Sequence, residues 1–494
     1  MAFCASPRFA KSVATLAVSP LALVLACGDA AKPAVAPASP AASASSSAVA
    51  APSVDAGAPP AEATLPAGVP DTPAGHQLAW VLAAFGHPPS EADLQSRFSA
   101  AFNAKMPPAQ VIALFTQIGT QLAPFAVDHV TPGPSPTKLV AIAHSEKPGQ
   151  PAGGAPMMQI ALSVEDAEPH RIEGLFLRPV IDAKPATSWD DVQTRLKSVA
   201  PTVNFLAAEV AGNKCVPISA IEPKKPLALG SAFKLYVLEA LAKQIAAGKH
   251  KWDDMIPIEE AKKSLPSGDM RNEAAGKTFS VRHFAEEMIS VSDNTATDHL
   301  LAFVGRSAAE ETVKSSGNAS AAKNVPFMST RDLFALKLLG TPDELKTYAL
   351  ADVPHKRKLL EQFEQRDLSN APLDAEKGGW AKPRMVDAIE WFASPEDLCK
   401  LMVGLKARAD APTTAPVGEI LSKNPGLPDE AGAFRYIAFK GGSEPGVMNL
   451  TWLLQRKSDA KWVFLTVGFN DTGAAIDEEK AIIAVSAARD FLGK

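Results

Sequence analysis

The chain has 494 residues, a formal charge of −5 and 46% hydrophobic residues, enough at roughly 100–200 residues per domain for two to four domains with real cores. Near-neutral balance without a long basic block excludes nucleic acid as the main partner. Four scattered cysteines and nine unpaired histidines exclude a disulfide framework, a zinc knuckle and an HExxH hydrolase, and no phosphate loop or GxSxG elbow is present, so the expected enzyme needs no metal or other cofactor.

Arg8 and Lys11 precede an apolar run from Val13 to Ala26, shorter than the ~20 residues a bilayer span needs. The run ends Val24-Leu25-Ala26-Cys27, which resembles the lipobox of bacterial lipoproteins. Residues 1–27 are therefore expected to be a lipoprotein signal peptide with Cys27 as the lipidated residue; the alternative is an ordinary signal peptide cut nearby. Both readings put the mature protein outside the cytoplasm, touching a membrane through the anchor only. Gly28, rather than Asp, leans towards the outer membrane. Residues 28–75 collapse to Ala, Pro and Ser, too little apolar surface to offset ordering entropy, and read as a disordered tether.

Residues 76–183 read as a small α+β domain. Gln77–Phe85 is apolar at helical spacing, Ser90-Glu91-Ala92-Asp93 looks like a capping box opening a helix to Phe102, and Pro107-Pro108 starts a third helix. Strands are expected at Phe125–Val130, Lys138–His144, Met157–Val164 and Arg171–Leu177. Helices first and an antiparallel sheet after resemble the NTF2/steroid-isomerase-like fold, often an accessory domain. Asp128, His129 and His144 read as surface or loop residues rather than an acid/base set.

Residues 187–494 read as a larger domain. A helix (Trp189–Val199) and a strand (Val203–Val210) open it, a long helix runs from Ser231 to about Ala247, and the middle is mostly helical. Strands return at Arg435–Phe439, Val447–Gln455 and Trp462–Phe469 before a final helix from Ala475. The expected fold class is α/β (α+β), an antiparallel sheet with a helical insert.

Ser231-Ala232-Phe233-Lys234 puts a lysine three residues from a serine, on one helical face. A serine is a weak nucleophile until a base takes its proton, and a desolvated lysine can be that base. Ser-x-x-Lys occurs four times, at Ser135, Ser231, Ser320 and Ser458; only Ser231 follows an apolar turn with Gly230 and opens a long amphipathic helix. Ser292-Asp293-Asn294 offers a hydroxyl to shuttle a proton and an amide to hold a substrate carbonyl or a lysine; taken alone, it reads rather as a simple cap of the next helix, Thr295–Phe303. Lys440-Gly441-Gly442-Ser443 ends a strand, where Lys440 can attract a substrate carboxylate and lower the pKa of Lys234, and where the Ser443 N–H can complete an oxyanion site with that of Ser231.

The three motifs in this order resemble the class A β-lactamase and penicillin-binding-protein superfamily, with its S-x-x-K, S-D-N and K-[ST]-G pattern. The 61-residue step from Ser231 to Ser292 agrees with that family. The resemblance implies the β-lactamase/transpeptidase-like fold, Ser231 as nucleophile, Lys234 as base and Ser292 as proton shuttle, with Asn294, Lys440, Gly442 and Ser443 binding substrate. The NTF2-like front domain and Lys-Gly-Gly-Ser-Glu-Pro-Gly are similar to a subgroup with a member in clavulanic acid biosynthesis. Its implied partner is a small β-lactam, peptide or ester; oligomeric state is left open.

Two departures stand out. Gly441 replaces the hydroxyl residue of the third motif, and the stretch from Ser292 to Lys440 is longer than in class A, without a Glu-x-x-Leu-Asn to prime the deacylating water. Glu361, Glu364 and Glu390 fall in the region, and Glu390, flanked by apolar residues, is the candidate base. The reading is β-lactamase-type hydrolysis, with a D,D-peptidase, an esterase or a sensor that stays acylated as alternatives. Cys215 and Cys399 can pair or remain two buried thiols.

Overall fold

The computed structural model describes residues 64–133, 135–148, 156–180, 185–368, 371, 380–427, 429 and 432–494. The signal peptide, Cys27 and residues 28–63 of the expected tether lie outside the described residues, whereas its last stretch, 64–75, is not a disordered tether: Val69 and Ala74 are buried in the core of the first unit. The chain divides into two compact units, up to Asp182 and from Ala183.

Among its described residues, the first unit places four helices before a four-stranded sheet. Helix α1 (Pro73–Gly86) begins earlier than the apolar pattern suggests, because Thr72 accepts the Gly75 N–H and Pro73 sits at the first helical position. The single helix expected from Ser90 to Phe102 is two, α2 (Glu91–Arg97) and α3 (Ala100–Lys105). They break where Phe98 bridges Ile172 and the Ser99 N–H donates to the Ile172 carbonyl, at 2.9 Å. Pairing with the sheet wins over helical continuity, and Ser99 recaps the chain. After α4 (Pro108–Leu122), strands β1 (Phe125–Pro132), β2 (Lys138–Ser145), β3 (Met157–Val164) and β4 (Ile172–Val180) form an antiparallel meander. Trp80, Phe85, Phe98, Phe115, Ile160 and Ile172 centre its core. Asp128, His129 and His144 lie on β1 and β2, where His144 and Asp128 hydrogen-bond at 2.9 Å on a partly exposed face.

In the second unit both ends of the chain build one sheet, as expected. Helix α5 (Trp189–Lys197) leads into β5 (Thr202–Ala211) and β6 (Lys214–Ile221). A short β7 (Leu227–Ala228) precedes α6 (Lys234–Ala246), and β8 (Met255–Pro257) pairs with β9 (Thr278–Ser280). The helical insert holds α7 (Val281–Ser290), α8 (Asn294–Val304), α9 (Arg306–Ser315), α10 (Thr330–Leu339), α11 (Pro342–Leu350) and α12 (Val353–Glu364). Then follow β10 (Phe392–Ala393), paired with β7, and α13 (Pro395–Ala409), α14 (Pro416–Ser422), β11 (Phe434–Glu444), β12 (Val447–Arg456), β13 (Trp462–Asn470) and α15 (Glu478–Leu492). The five long strands run antiparallel in the order β11-β12-β13-β5-β6.

Because side chains alternate across a strand, β5 feeds two cores. Phe205 and Ala207 face α5 and α15, together with Trp452, Leu465 and Val485. Leu206 and Ala208 face the helical insert. Helix α6 runs through that second core and is buried on nearly every side from Lys234 to Ala242. It is therefore a central helix rather than the amphipathic one expected from its Leu and Val spacing. A Cys215–Cys399 disulfide ties edge strand β6 to α13 across 184 residues. In the chain-entropy view a crosslink spanning so long a loop contributes up to about 5 kcal/mol.

Candidate active site

After β7 the chain turns at Gly230, whose φ of +49° suits glycine, into a 3₁₀ turn over Gly230–Phe233. Trp391 pins this turn twice: its carbonyl accepts the Leu229 N–H at 3.0 Å, and its indole stacks on Phe233 at 3.6 Å. Gly442 of β11 passes so close that a Cβ there would fall 2.3 Å from the Ser231 nitrogen, and one on Gly230 would fall 2.8 Å from the Ser443 nitrogen. Turn and strand thus touch backbone to backbone, with two amides side by side. The Ser231 N–H has no intrahelical acceptor at a helix start, and β11, as an edge strand, points alternate N–H groups off the sheet. The Lys440–Ser443 motif lies inside β11, which continues to Glu444 beyond the expected strand end.

Lys234 opens α6 fully out of water, and its Nζ donates to the Ser292 carbonyl (2.6 Å), Ser292 Oγ (3.0 Å) and Asn294 Oδ1 (2.6 Å). Its expected direct reach to Ser231 is not made: among the described residues the Ser231 hydroxyl has no hydrogen-bond partner. A buried ammonium must satisfy three N–H groups, and the Ser292–Asn294 loop offers three acceptors where Ser231 offers one. Burial holds Lys234 well below the ordinary lysine range, and the neighbouring Lys440 charge lowers it further, against Asp293 and Asp298. Burial also pushes Lys440 down to about 7.

Ser292 sits at φ +60°, a left-handed conformation costing a non-glycine residue about 1–2 kcal/mol. That conformation sets its Oγ between the two amines, 3.0 Å from Lys234 Nζ and 3.0 Å from Lys440 Nζ. With both lone pairs accepting, the hydroxyl proton is free to be given to a leaving group. The capping contact and the contacts to Lys234 occur together in Ser292-Asp293-Asn294. Asp293 caps α8 through the Ala296 N–H (2.7 Å) and also accepts the Met270 N–H, while Ser292 and Asn294 turn to Lys234. Asn294 is buried, its Oδ1 on Lys234 and its Nδ2 on the Leu265 carbonyl. This is the placement of a lysine anchor; the substrate contact expected of it is not open in this geometry.

Lys440 also donates to the Gly441 carbonyl at 2.7 Å. A Cβ on Gly441 would fall 2.8 Å from the Phe439 ring, so an aromatic edge fills the space that a threonine or serine would need. Ser443 is exposed and able to meet a ligand.

Glu390 is not placed as a water base. Its side chain is fully buried, with Oε1 3.4 Å from Lys337 Nζ and Oε2 accepting the Trp391 N–H at 3.1 Å. Glu364 pairs with Arg306 at 3.3 Å, and Glu361 is exposed on α12. Sequence reasoning missed Ser267, whose Oγ donates to the Ser292 carbonyl at 2.8 Å, and missed Lys337, Trp391 and Glu444. Of these, Glu444 lies inside Lys-Gly-Gly-Ser-Glu-Pro-Gly and Trp391 directly follows the candidate Glu390. Among the described residues no group of three His, Cys, Asp or Glu side chains could hold a metal ion.

Residues 189–421 match the model of the beta-lactamase enzyme family, and residues 69–152 match the model of the ORF 12 gene product N-terminal region. No curated protein matches the sequence. Among solved structures, a beta-lactamase from Sphaerobacter thermophilus DSM 20745 is 17% identical, over 62% of this chain and 96% of its own, at a TM-score of 0.42. A beta-lactamase from Desulfarculus baarsii DSM 2075 is 16% identical, over 63% of this chain and 100% of its own, at 0.42. The protein PBP-A is 15% identical, over 63% and 97%, at 0.40.

Proposed function

We propose, from a second domain that has the fold of serine β-lactamases and penicillin-binding proteins, that the chain opens amides by acyl transfer to Ser231. The observation that carries the reading is the convergence of Lys234 Nζ and Lys440 Nζ on the Ser292 hydroxyl, 3.0 Å each, beside a turn pressed against β11. Once deprotonated, Lys234 keeps only two N–H donors, so one of its three acceptors is released and its lone pair takes the Ser231 proton as Oγ adds to the carbonyl carbon. The N–H groups of Ser231 and Ser443 receive the oxyanion. The C–N bond then breaks, Ser292 gives its proton to the leaving nitrogen, and Lys234 returns a proton to Ser292. Water adds to the Ser231 ester and the serine leaves with a proton.

The substrate class favoured is a cyclic amide of the β-lactam type, hydrolysed by a class A-like route. A second reading, a D,D-peptidase, an esterase or a sensor that stays acylated, is favoured by the commitment of Glu390 to Lys337 and the Trp391 N–H. Intact-mass spectrometry of the full chain with benzylpenicillin, beside Ser231→Ala, separates these. A transient adduct with drug consumed in excess is the expected result; a lasting one-to-one adduct selects the second reading. An equal adduct on Ser231→Ala removes the nucleophile.

The site of action belongs to the same proposal: an exported lipoprotein anchored through Cys27, facing the periplasm or cell exterior. The Cys215–Cys399 disulfide suits an oxidising compartment. Cys27→Ala is expected to move the protein from the membrane to the soluble fraction of fractionated cells; unchanged membrane association would refute the anchor.

A further inference from the structure

Lys337, Glu390 and Glu444 come from α10, the segment before β10 and the end of β11, yet meet in one dry cluster. Lys337 Nζ lies 3.4 Å from Glu390 Oε1 and also donates to Glu444 Oε1, and all three side chains are essentially out of water. The Trp380 ring stands 5.5 Å from the ammonium, and Arg384 donates to the Lys337 carbonyl. Burying three ionisable groups is costly unless each is paired, and nothing in the chemistry of Ser231, Lys234 and Ser292 uses them.

Their placement does have a use. Glu390 holds the Trp391 N–H at 3.1 Å, and the Trp391 carbonyl holds the Leu229 N–H at 3.0 Å, two residues before Ser231. Glu444 directly follows Ser443. The two segments that Lys337 joins are thus the one that pins the Ser231 turn and the one that carries the Ser443 amide. We propose that Lys337, through Glu390 and Glu444, is a positioning residue that fixes the spacing of the Ser231 and Ser443 N–H groups; its catalytic consequence rests on the acyl-transfer reading above.

The charges are compatible with a rigid clasp. Burial, and then the carboxyl of Glu390, raises the Glu444 carboxyl well above its ordinary range, against the pull of Lys337, and so favours its protonated form. Two carboxyls can hydrogen-bond only through a proton, and a protonated Glu444 can donate to Glu390 while accepting from Lys337. Lys337 then joins both carboxyls, one from each segment. A hydrophobic residue at 337 would fill the volume but join nothing.

The test is Lys337→Met in the full chain, read two ways. Amide hydrogen exchange of 227–233 and 441–444 needs no substrate and is expected to rise at least tenfold in both segments. Rapid-mixing acylation by benzylpenicillin is expected to show the acylation rate constant falling at least tenfold with the substrate dissociation constant held within threefold. Faster exchange without slower acylation would reduce Lys337 to a structural ion pair and overturn the proposal, as would unchanged exchange. Should wild type prove inert to every acyl donor, exchange still judges the clasp, and the failure then belongs to the acyl-transfer reading. Glu390→Gln keeps the volume and the acceptor for Trp391; it stands in if Lys337→Met does not fold, with both effects expected in the same direction and smaller.

Discussion

Lys234→Met is expected to slow acylation of Ser231 by about 10²–10⁴-fold, the range that a positioned general base contributes, while leaving binding of the acyl donor nearly unchanged. Methionine matches the lysine stem, so the change removes the amine rather than the packing. Three acceptors lose their donor, namely the Ser292 carbonyl, Ser292 Oγ and Asn294 Oδ1. Lys440 Nζ still reaches Ser292 Oγ and Ser267 Oγ still reaches the Ser292 carbonyl, so the left-handed Ser292 keeps two of its supports. The loss should therefore appear in the rate constant and not in affinity. Stopped-flow acylation separates the two, and a rate within threefold of wild type would remove Lys234 as the base.

The architecture of the second domain was legible because it depends on local pattern. Near-continuous apolar strands at both ends of one domain have to share a sheet, and the turn residues between them mark the boundaries. The three motifs were legible for a related reason: each is a short run whose chemistry and secondary-structure context can be read together. What escaped depends on partners far apart in the chain. Lys337 meets Glu390 across 53 residues and Glu444 across 107, and no period or spacing links them. Glu390 was noticed for its apolar flanks, which are a sign of burial and not of access to water. The Lys234 side chain turned to Ser292 and Asn294 because a buried ammonium needs three acceptors, a demand visible only when the loop is in place. The same holds for the break at Phe98, where a strand 74 residues away supplies the competing hydrogen bond.

Lys440 offers the sharpest separation of stability from function. Its amine is buried and pushed from 10.5 down to about 7, which corresponds to roughly 5 kcal/mol against the charged form in the folded state. For a lysine with a lowered folded pKa, the unfolded chain binds the extra proton between about 7 and 10.5. Stability contributed here is therefore present above the upper value, falls as pH drops through that window, and is at its lowest below about 7. Lys440→Met abolishes this titration and also forfeits hydrogen bonds to Ser292 Oγ and the Gly441 carbonyl, about 1 kcal/mol each. The variant is expected to be more stable than wild type at pH 6 by on the order of 2–3 kcal/mol, and less stable at pH 10.5. Urea denaturation at the two pH values checks the change of sign, and a constant difference would show that the buried ammonium carries no such penalty. Activity should move the other way. Removing the Lys440 charge raises the Lys234 pKa, since that charge is one of its lowering influences, so the fraction of neutral base at pH 7 falls and the acylation profile shifts to higher pH. A site that holds two amines in the dry keeps both near their working charge only by accepting a less stable fold, and this single substitution reads both sides of that exchange.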